Sequence, residues 1–406
     1  MKKTSKKLLL ALAFVLAMGA MVLAGCGNEA TDEAKDAAED PVVVCNEAIE
    51  AIQVQEWTED TDAKCAAAKE AYDALTDEQK EQLDDPDYFG LDTGDASKDD
   101  PLNQDDIGEK ELLVVSFGTS FNDSRAKDVG GIEKAMAEAY PDWSVRRAFT
   151  AQIIINHIQA RDGEKIDNTE QALQRAIDNG VKTLVIQPTH LMHGAEYDEM
   201  KGYVDAVKDK FDSIEIAEPM LGPVGKEPTD TNEDKKAALE AVVNETVKGA
   251  KADSADALAD EKTAIVLMGH GTGHEAAVTY SQMQAQAEEL GYKNVFIGTV
   301  EGIPEATALP EVKKAVEKAG YEKIILRPLM VVAGDHANND MAGDEEGTWY
   351  YGFVNGGEFE VEGAEAPVDT GKGFGADNVS CQVEGMGRIG DVQKIYIDHS
   401  GAIINK

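Results

Sequence analysis

Three side chains that suit divalent metals stand at matching places along the chain. His270 follows the apolar run 264–268 within a Gly269, His270, Gly271, Thr272, Gly273 turn; Glu301 follows the run 295–300; His336 follows the run 324–334 and Asp335. The first run has the β-branched, apolar character of a buried parallel strand, and the other two are apolar runs of the same kind. Open α/β sheets carry their ligands at the carboxyl ends of such strands. Two imidazoles and one carboxylate gathered there would form a divalent-metal site with open coordination positions, holding cobalt, iron or nickel exchangeably. An imidazole titrating near neutrality can also accept a proton.

The elements that must position these residues alternate strand and helix. The pattern predicts strands at 112–115, 145–149, 183–187 and 214–217, with helices at 126–140, 169–179 and 198–211, the first stopped before Pro141 and the second by Gly180. After a helical stretch at 234–258 the same order restarts at Ala264. Ser116, Phe117, Gly118 and Thr119 align with Gly269, His270, Gly271 and Thr272, and residues 181–194 align with 321–334 without a gap. Such a repeat implies two similar α/β lobes facing each other across a cleft. Phe117 then takes the place of His270 and Phe149 lies near that of Glu301, so a single centre is expected, on the second lobe. Residues 385–399 read as a turn followed by a closing helix.

A chain of 406 residues with 42% hydrophobic content supports two or three domains, and its net charge of −40 excludes nucleic acid as a partner. The charge is uneven: residues 27–110 hold 27 acidic against 6 basic side chains. Lys2, Lys3, Lys6 and Lys7 precede an apolar run, 8–23, that closes on Leu23, Ala24, Gly25 and Cys26. That is the pattern of a lipoprotein signal peptide, with Cys26 acylated and the mature protein anchored outside the cytoplasm to the membrane. The expected order is signal peptide 1–26, acidic tether 27–41, small helical module 42–84 with a capping box opening at Thr76, acidic linker 85–109, and lobes 110–259 and 260–406. In an oxidising compartment Cys45 and Cys65 could form a disulfide, leaving Cys381 unpaired. There is no phosphate loop, so no nucleotide is expected.

Taken together, residues 113–120, Arg147 to Thr150, Arg161 to Gly163, Met268 to Gly271, 300–305 and 328–341 resemble the anaerobic sirohydrochlorin cobaltochelatases of the class II chelatase family, over about residues 110–400. The resemblance implies two flavodoxin-like lobes with parallel sheets and metal ligands at the matching positions, His270, Glu301 and His336. It implies ATP-independent insertion of Co2+, with Fe2+ or Ni2+ as further candidates, into sirohydrochlorin, a step of anaerobic cobalamin biosynthesis. The same three residues are then catalytic, with Asp335 or Glu305 hydrogen-bonded behind them. A polycarboxylate substrate calls for cations, and Arg125, Arg147, Arg161 and Arg327 are the candidate clamps, each weighed against a structural ion pair. Phe117, Phe149 and His190 are candidate cleft-lining residues, His193 a candidate axial contact and His274 a further candidate ligand, while His157 and His399 read as structural. A homo-oligomer is compatible with these features. The alternative is an extracytoplasmic lipoprotein that captures a tetrapyrrole or a metal without catalysis.

Overall fold

The computed structural model describes residues 40–90, 93–361 and 366–406. The signal peptide, the lipidation position Cys26 and nearly all of the tether 27–41 lie outside the described residues. Aliphatic runs with β-branched members make two parallel sheets. The first contains β1 Lys110–Ser116, β2 Ser144–Phe149, β3 Thr183–Pro188 and β4 Ser213–Ile216, in the order β2-β1-β3-β4. The second contains β5 Thr263–Gly269, β6 Val295–Thr299 and β7 Lys323–Pro328. A small antiparallel pair, β8 Gly356–Phe359 and β9 Val368–Lys372, comes next, and β10 Val379–Cys381 completes the second sheet as β10-β7-β5-β6.

Both sheets therefore run second, first, third, fourth, the flavodoxin-like order, whose switch point beside the first strand is where ligands bind. Side chains alternate along each strand. Leu112 and Val114 share one core with Ile265 and Leu267, whereas Leu113 and Val115, and Ala264, Val266 and Met268, enter separate cores on the opposite faces. Coverage of both faces is what makes the parallel strands largely apolar, with Glu111, Arg146, Arg147, Gln187 and Arg327 as buried polar exceptions.

Three features differ from the expected organisation. The closing helix, Gly390–Ile404, does not stay with the second lobe. Tyr396 Oη donates to the Thr189 carbonyl at 2.7 Å and Ser400 Oγ to Gln187 Oε1 at 2.8 Å, so the chain crosses back and is buried against the first sheet. The span 260–406 is thus not one lobe.

The helical module is present as Pro41–Glu50, Thr61–Asp73 and Asp77–Lys80, the last opened by the Thr76–Gln79 capping box. It is docked, with Cys45, Ile49, Ile52, Cys65 and Leu75 closing over Ala160 of the helix Gln152–Asp162. Cys45 and Cys65 are free buried thiols, which corrects the expected disulfide. Cys65 Sγ is turned to the Asn156 carbonyl at 3.5 Å, and burial, with the Asp62 charge, pushes its pKa up to about 11.

Finally, the acidic stretch 85–109 is structural rather than a free linker. Tyr88 and Phe89 are buried in the module core, and the His157 ring stacks on Tyr88 with centroids 4.1 Å apart. Among the described residues no helix is long and apolar enough to cross a membrane.

Candidate metal centre

The first and second strands of the second sheet continue to pair past their formal ends. Val300 N–H donates to the Gly269 carbonyl at 2.9 Å and Glu301 N–H to the His270 carbonyl at 3.0 Å, which sets His270 and Glu301 side by side. Gly271 makes this possible: its φ is +99°, and a Cβ there would come within 2.8 Å of Glu301 Cβ. Tyr280, fully buried beneath the turn, accepts the Gly271 N–H at 3.2 Å; burial pushes its phenol up to about 12. His336 arrives beyond β7 at the head of the turn His336–Met341, which is wound wider than an α-helix.

His270 Nε2 lies 3.0 Å from His336 Nε2, and Glu301 Oε1 lies 3.5 Å from His270 Nδ1. The three residues singled out in the sequence therefore converge. The imidazole planes meet at 76° with centroids 4.4 Å apart, and the carboxylate flanks the Nδ1 edge of the His270 ring. Both imidazoles remain partly open, with 45% and 44% of their side-chain surface exposed.

The other ring nitrogens decide the electrostatics. His270 Nδ1 is 2.9 Å from the Gly271 carbonyl, and His336 Nδ1 is 2.6 Å from Asp340 Oδ2. A carbonyl and an ionised carboxylate can only accept, so both Nδ1 atoms carry the hydrogen. In the neutral rings two Nε2 lone pairs then stand 3.0 Å apart on rings inclined at 76°, a repulsion that a cation or a shared proton between them relieves. With metal–imidazole bonds of about 2.1 Å, that separation corresponds to an angle of about 90°, suited to two adjacent positions of an octahedral ion. Burial lowers the His336 pKa, but the Asp340 hydrogen bond and the charges of Asp340, Asp335 and Glu301 outweigh it and leave the pKa raised. The site attracts positive charge, whether proton or metal. Ligand atoms of Asp335, His336 and Asp340 also lie within 4.8 Å of one another.

The remaining candidates fall elsewhere. Arg125 and Arg147 do not face a substrate. Arg147 is 1% exposed and holds Glu133 at 2.7 Å and Asp99 at 2.6 and 2.8 Å, while Arg125 Nε holds the same Asp99 at 2.6 Å. Burial raises the Asp99 carboxyl, but hydrogen bonds and charges from the two guanidinium groups hold it below its ordinary range. Their donors are committed to internal acceptors, for Arg125 also the Thr119 carbonyl and Asn122 Oδ1, which corrects the clamp assignment. Arg161 bonds Ser120, Asn122 and Asp162, and Arg327 bonds Gln382 and Glu384. Phe149 is wholly buried in a core cluster and lines no surface, whereas Phe117 is 43% exposed at the end of β1.

His190 lies two residues past the first lobe's third strand, with both ring nitrogens buried and without hydrogen-bond partners among the described residues; burial lowers its pKa against the pull of Glu196. His193 pairs with Glu218 at 3.2 Å. His274 turns away from the metal residues, accepting the Ala276 N–H at 3.1 Å and lying 3.4 Å from Asp198. His399 bonds Asp234 and the Glu218 carbonyl. Behind the paired imidazoles the observed partner is Asp340. Asp335 is instead held by Asn339 at 2.6 Å, and Glu305 is exposed. Asp340 and Tyr280 were not evident as site residues from sequence. The four-residue spacing from His336 to Asp340 was the available signal for the first; Tyr280 had none.

Residues 110–405 match the family model described as Cobalt chelatase (CbiK). A sirohydrochlorin cobaltochelatase of Salmonella typhimurium is 31% identical over 245 residues, covering 60% of this chain and 84% of that protein. The sirohydrochlorin cobaltochelatase CbiKC of Nitratidesulfovibrio vulgaris is 28% identical over 243 residues, covering 59% and 78%. Among solved structures, SirB from Bacillus subtilis with Fe3+ aligns at 13% identity and a TM-score of 0.46, covering 72% of this chain and 94% of that one.

Proposed function

The chain belongs to the cobalt chelatase (CbiK) family, and from that premise we propose that it inserts Co2+ into sirohydrochlorin, releasing two protons, with His270, Glu301 and His336 presenting the ion. The observation that carries the site assignment is the facing pair of Nε2 atoms 3.0 Å apart, each made a lone-pair donor by the acceptor on its own Nδ1.

Insertion requires that the ion shed water, be held by ligands that let go, and exchange places with two pyrrole protons. Imidazoles bind cobalt well enough to strip part of its hydration shell, without the retention that several thiolates would impose. As the ion passes to the macrocycle nitrogens, the imidazole lone pairs it leaves are free to take the protons. Glu301 balances charge beside them. Charge balances throughout: one divalent cation enters the ring and two protons leave it. The donor set also suits Fe2+ and Ni2+. Arg125 and Arg147, being internally paired, have no part in substrate binding in this reading.

We further propose that the protein works outside the cytoplasm, tethered by a lipid on Cys26 at the end of the signal-like segment. The docked helical module would then stand between anchor and chelatase lobes. Labelling with a radioactive fatty acid tests the anchor: wild type takes up label and Cys26→Ala does not, whereas label in both variants or in neither would refute it.

The activity is tested by mixing the purified chain with metal-free sirohydrochlorin and excess Co2+ and following the absorption spectrum. Many equivalents converted per protein support insertion. A spectral change that saturates at one equivalent would replace catalysis with capture of the tetrapyrrole.

A further inference from the structure

We infer that Asp340 is a positioning residue, which fixes the tautomer of His336 and so presents the Nε2 lone pair to the incoming ion. The inference rests on the assignment of His336 as a metal ligand and extends it to a residue outside the three-ligand set.

The argument begins with an asymmetry between the two imidazoles. His270 is anchored by a main-chain carbonyl, that of Gly271, which any sequence would supply. His336 has no such anchor. Its Nδ1 is met by a side chain, Asp340 Oδ2, at 2.6 Å, the length of a charge-assisted bond. Without that acceptor the ring is free to carry its hydrogen on Nε2, aimed at the place where the ion must bind. A metal-bound histidine that donates its other N–H to a carboxylate is held in one tautomer and one orientation, and is the more basic ligand for it.

The local backbone is built for this contact. His336 and Asp340 lie four residues apart on the widened turn His336–Met341. Continuing the alignment of 181–194 with 321–334 by two and six further residues sets His336 against Glu196 and Asp340 against Met200. There the first lobe has a regular helix, Ala195–Val207, and Met200 is completely buried in the core. Where the imidazole is missing, its carboxylate partner is missing too. The other nearby acid does not compete for the role, because Asp335 Oδ1 is taken by Asn339 Nδ2 at 2.6 Å.

The direct alternative is that Asp340 ligates the ion itself, since its carboxylate is close enough to share one with His336. The asparagine variant separates the two, because its carbonyl oxygen can accept the Nδ1 hydrogen while the charge and most of the ligating power are gone. The experiment uses the purified full chain with Asp340→Asn, Asp340→Ala and, as a control, His336→Ala. Co2+ affinity is titrated without tetrapyrrole, and the His336 tautomer is read from side-chain 15N shifts.

The expected result is a loss of about 10- to 100-fold in Co2+ affinity for Asp340→Ala, together with a mixture of tautomers. Asp340→Asn keeps the Nδ1–H tautomer and stays within about threefold of wild type, above the range expected for loss of such a partner. The KM for sirohydrochlorin is unchanged in both, which a general loss of structure would not allow. The inference is overturned if Asp340→Ala keeps both affinity and tautomer. It is also overturned if Asp340→Asn loses as much affinity as alanine while its tautomer is intact, since charge or direct ligation then carries the effect. If His336→Ala itself leaves Co2+ affinity unchanged, it is the metal-site assignment that fails.

Discussion

At the end of its first strand each lobe makes the same turn and fills it differently. Gly118 in the first lobe has φ +100° and Gly271 in the second +99°. In both, the chain after the second strand pairs back onto the turn: Ala151 N–H donates to the Phe117 carbonyl, as Glu301 N–H does to that of His270. The ladder thus sets Phe117 and Ala151 where the second lobe has His270 and Glu301, and Phe149 does not stand opposite Glu301. The Phe149 ring instead fills the space beneath Gly118, where a Cβ would come within 2.5 Å of it. One backbone design therefore serves twice, once closed over an aromatic core and once opened to a pair of imidazoles. The rim comes from topology, and the chemistry comes from a handful of side chains placed on it.

The largest effect that follows is at the imidazoles. Replacing His270 or His336 by Ala should lower the rate of Co2+ insertion by at least about 100-fold, because a ligand and a proton acceptor go together. Phe117→Ala at the equivalent place should leave Co2+ affinity as it was. A loss of Co2+ affinity in Phe117→Ala would break the asymmetry.

The next effect is on stability. Arg147→Ala strands the buried Glu133 carboxylate, leaves Asp99 to Arg125 alone, and should destabilise the fold by about 3–5 kcal/mol, seen as a lower denaturant midpoint. The KM for the tetrapyrrole should stay put; a raised KM with unchanged stability would restore the clamp reading. The glycines give a sharper paired test. Gly118→Ala and Gly271→Ala each force a left-handed backbone position and a close contact, costing about 1–3 kcal/mol. Only the second should also weaken Co2+ binding, by displacing Glu301.

The smallest effect is that of pH. The charges around His336 raise its pKa, so below that raised value a proton occupies the nitrogen the ion needs. Co2+ affinity should fall on acidification, by about tenfold per unit for one displaced proton, and level off at higher pH. Affinity that is flat through this range would mean that His336 is not a ligand.

Much of this contrast was legible in the sequence. The run 264–268 is apolar without interruption, and 324–332 is broken only by Arg327 and Pro328, because both faces of the sheet are covered, and that marks strand ends and the residues just past them. His270, Glu301 and His336 follow from this. What misled was long-range pairing. Arg125 and Arg147 look like free cations at a lobe rim because Asp99, which neutralises both, lies 26 and 48 residues upstream in a stretch whose composition reads as linker. Composition reports solubility and is blind to which single carboxylate becomes buried. The same holds for the closing helix, whose apolar face shows that it packs but not against which lobe, and for Cys45 and Cys65, which enter one core cluster as free thiols. Asp340 was hidden for a different reason: its four-residue spacing from His336 was the one signal, and it marks a pair only once the turn His336–Met341 is known to wind.

The most direct test of the central claim is X-ray absorption at the cobalt edge, on the full chain loaded with one equivalent of Co2+ in the absence of tetrapyrrole. The predicted spectrum is that of an ion with two imidazoles in its coordination sphere at about 2.1 Å and oxygen donors for the rest, and it loses one imidazole in His270→Ala. An all-oxygen sphere, or one unchanged by that substitution, would contradict it.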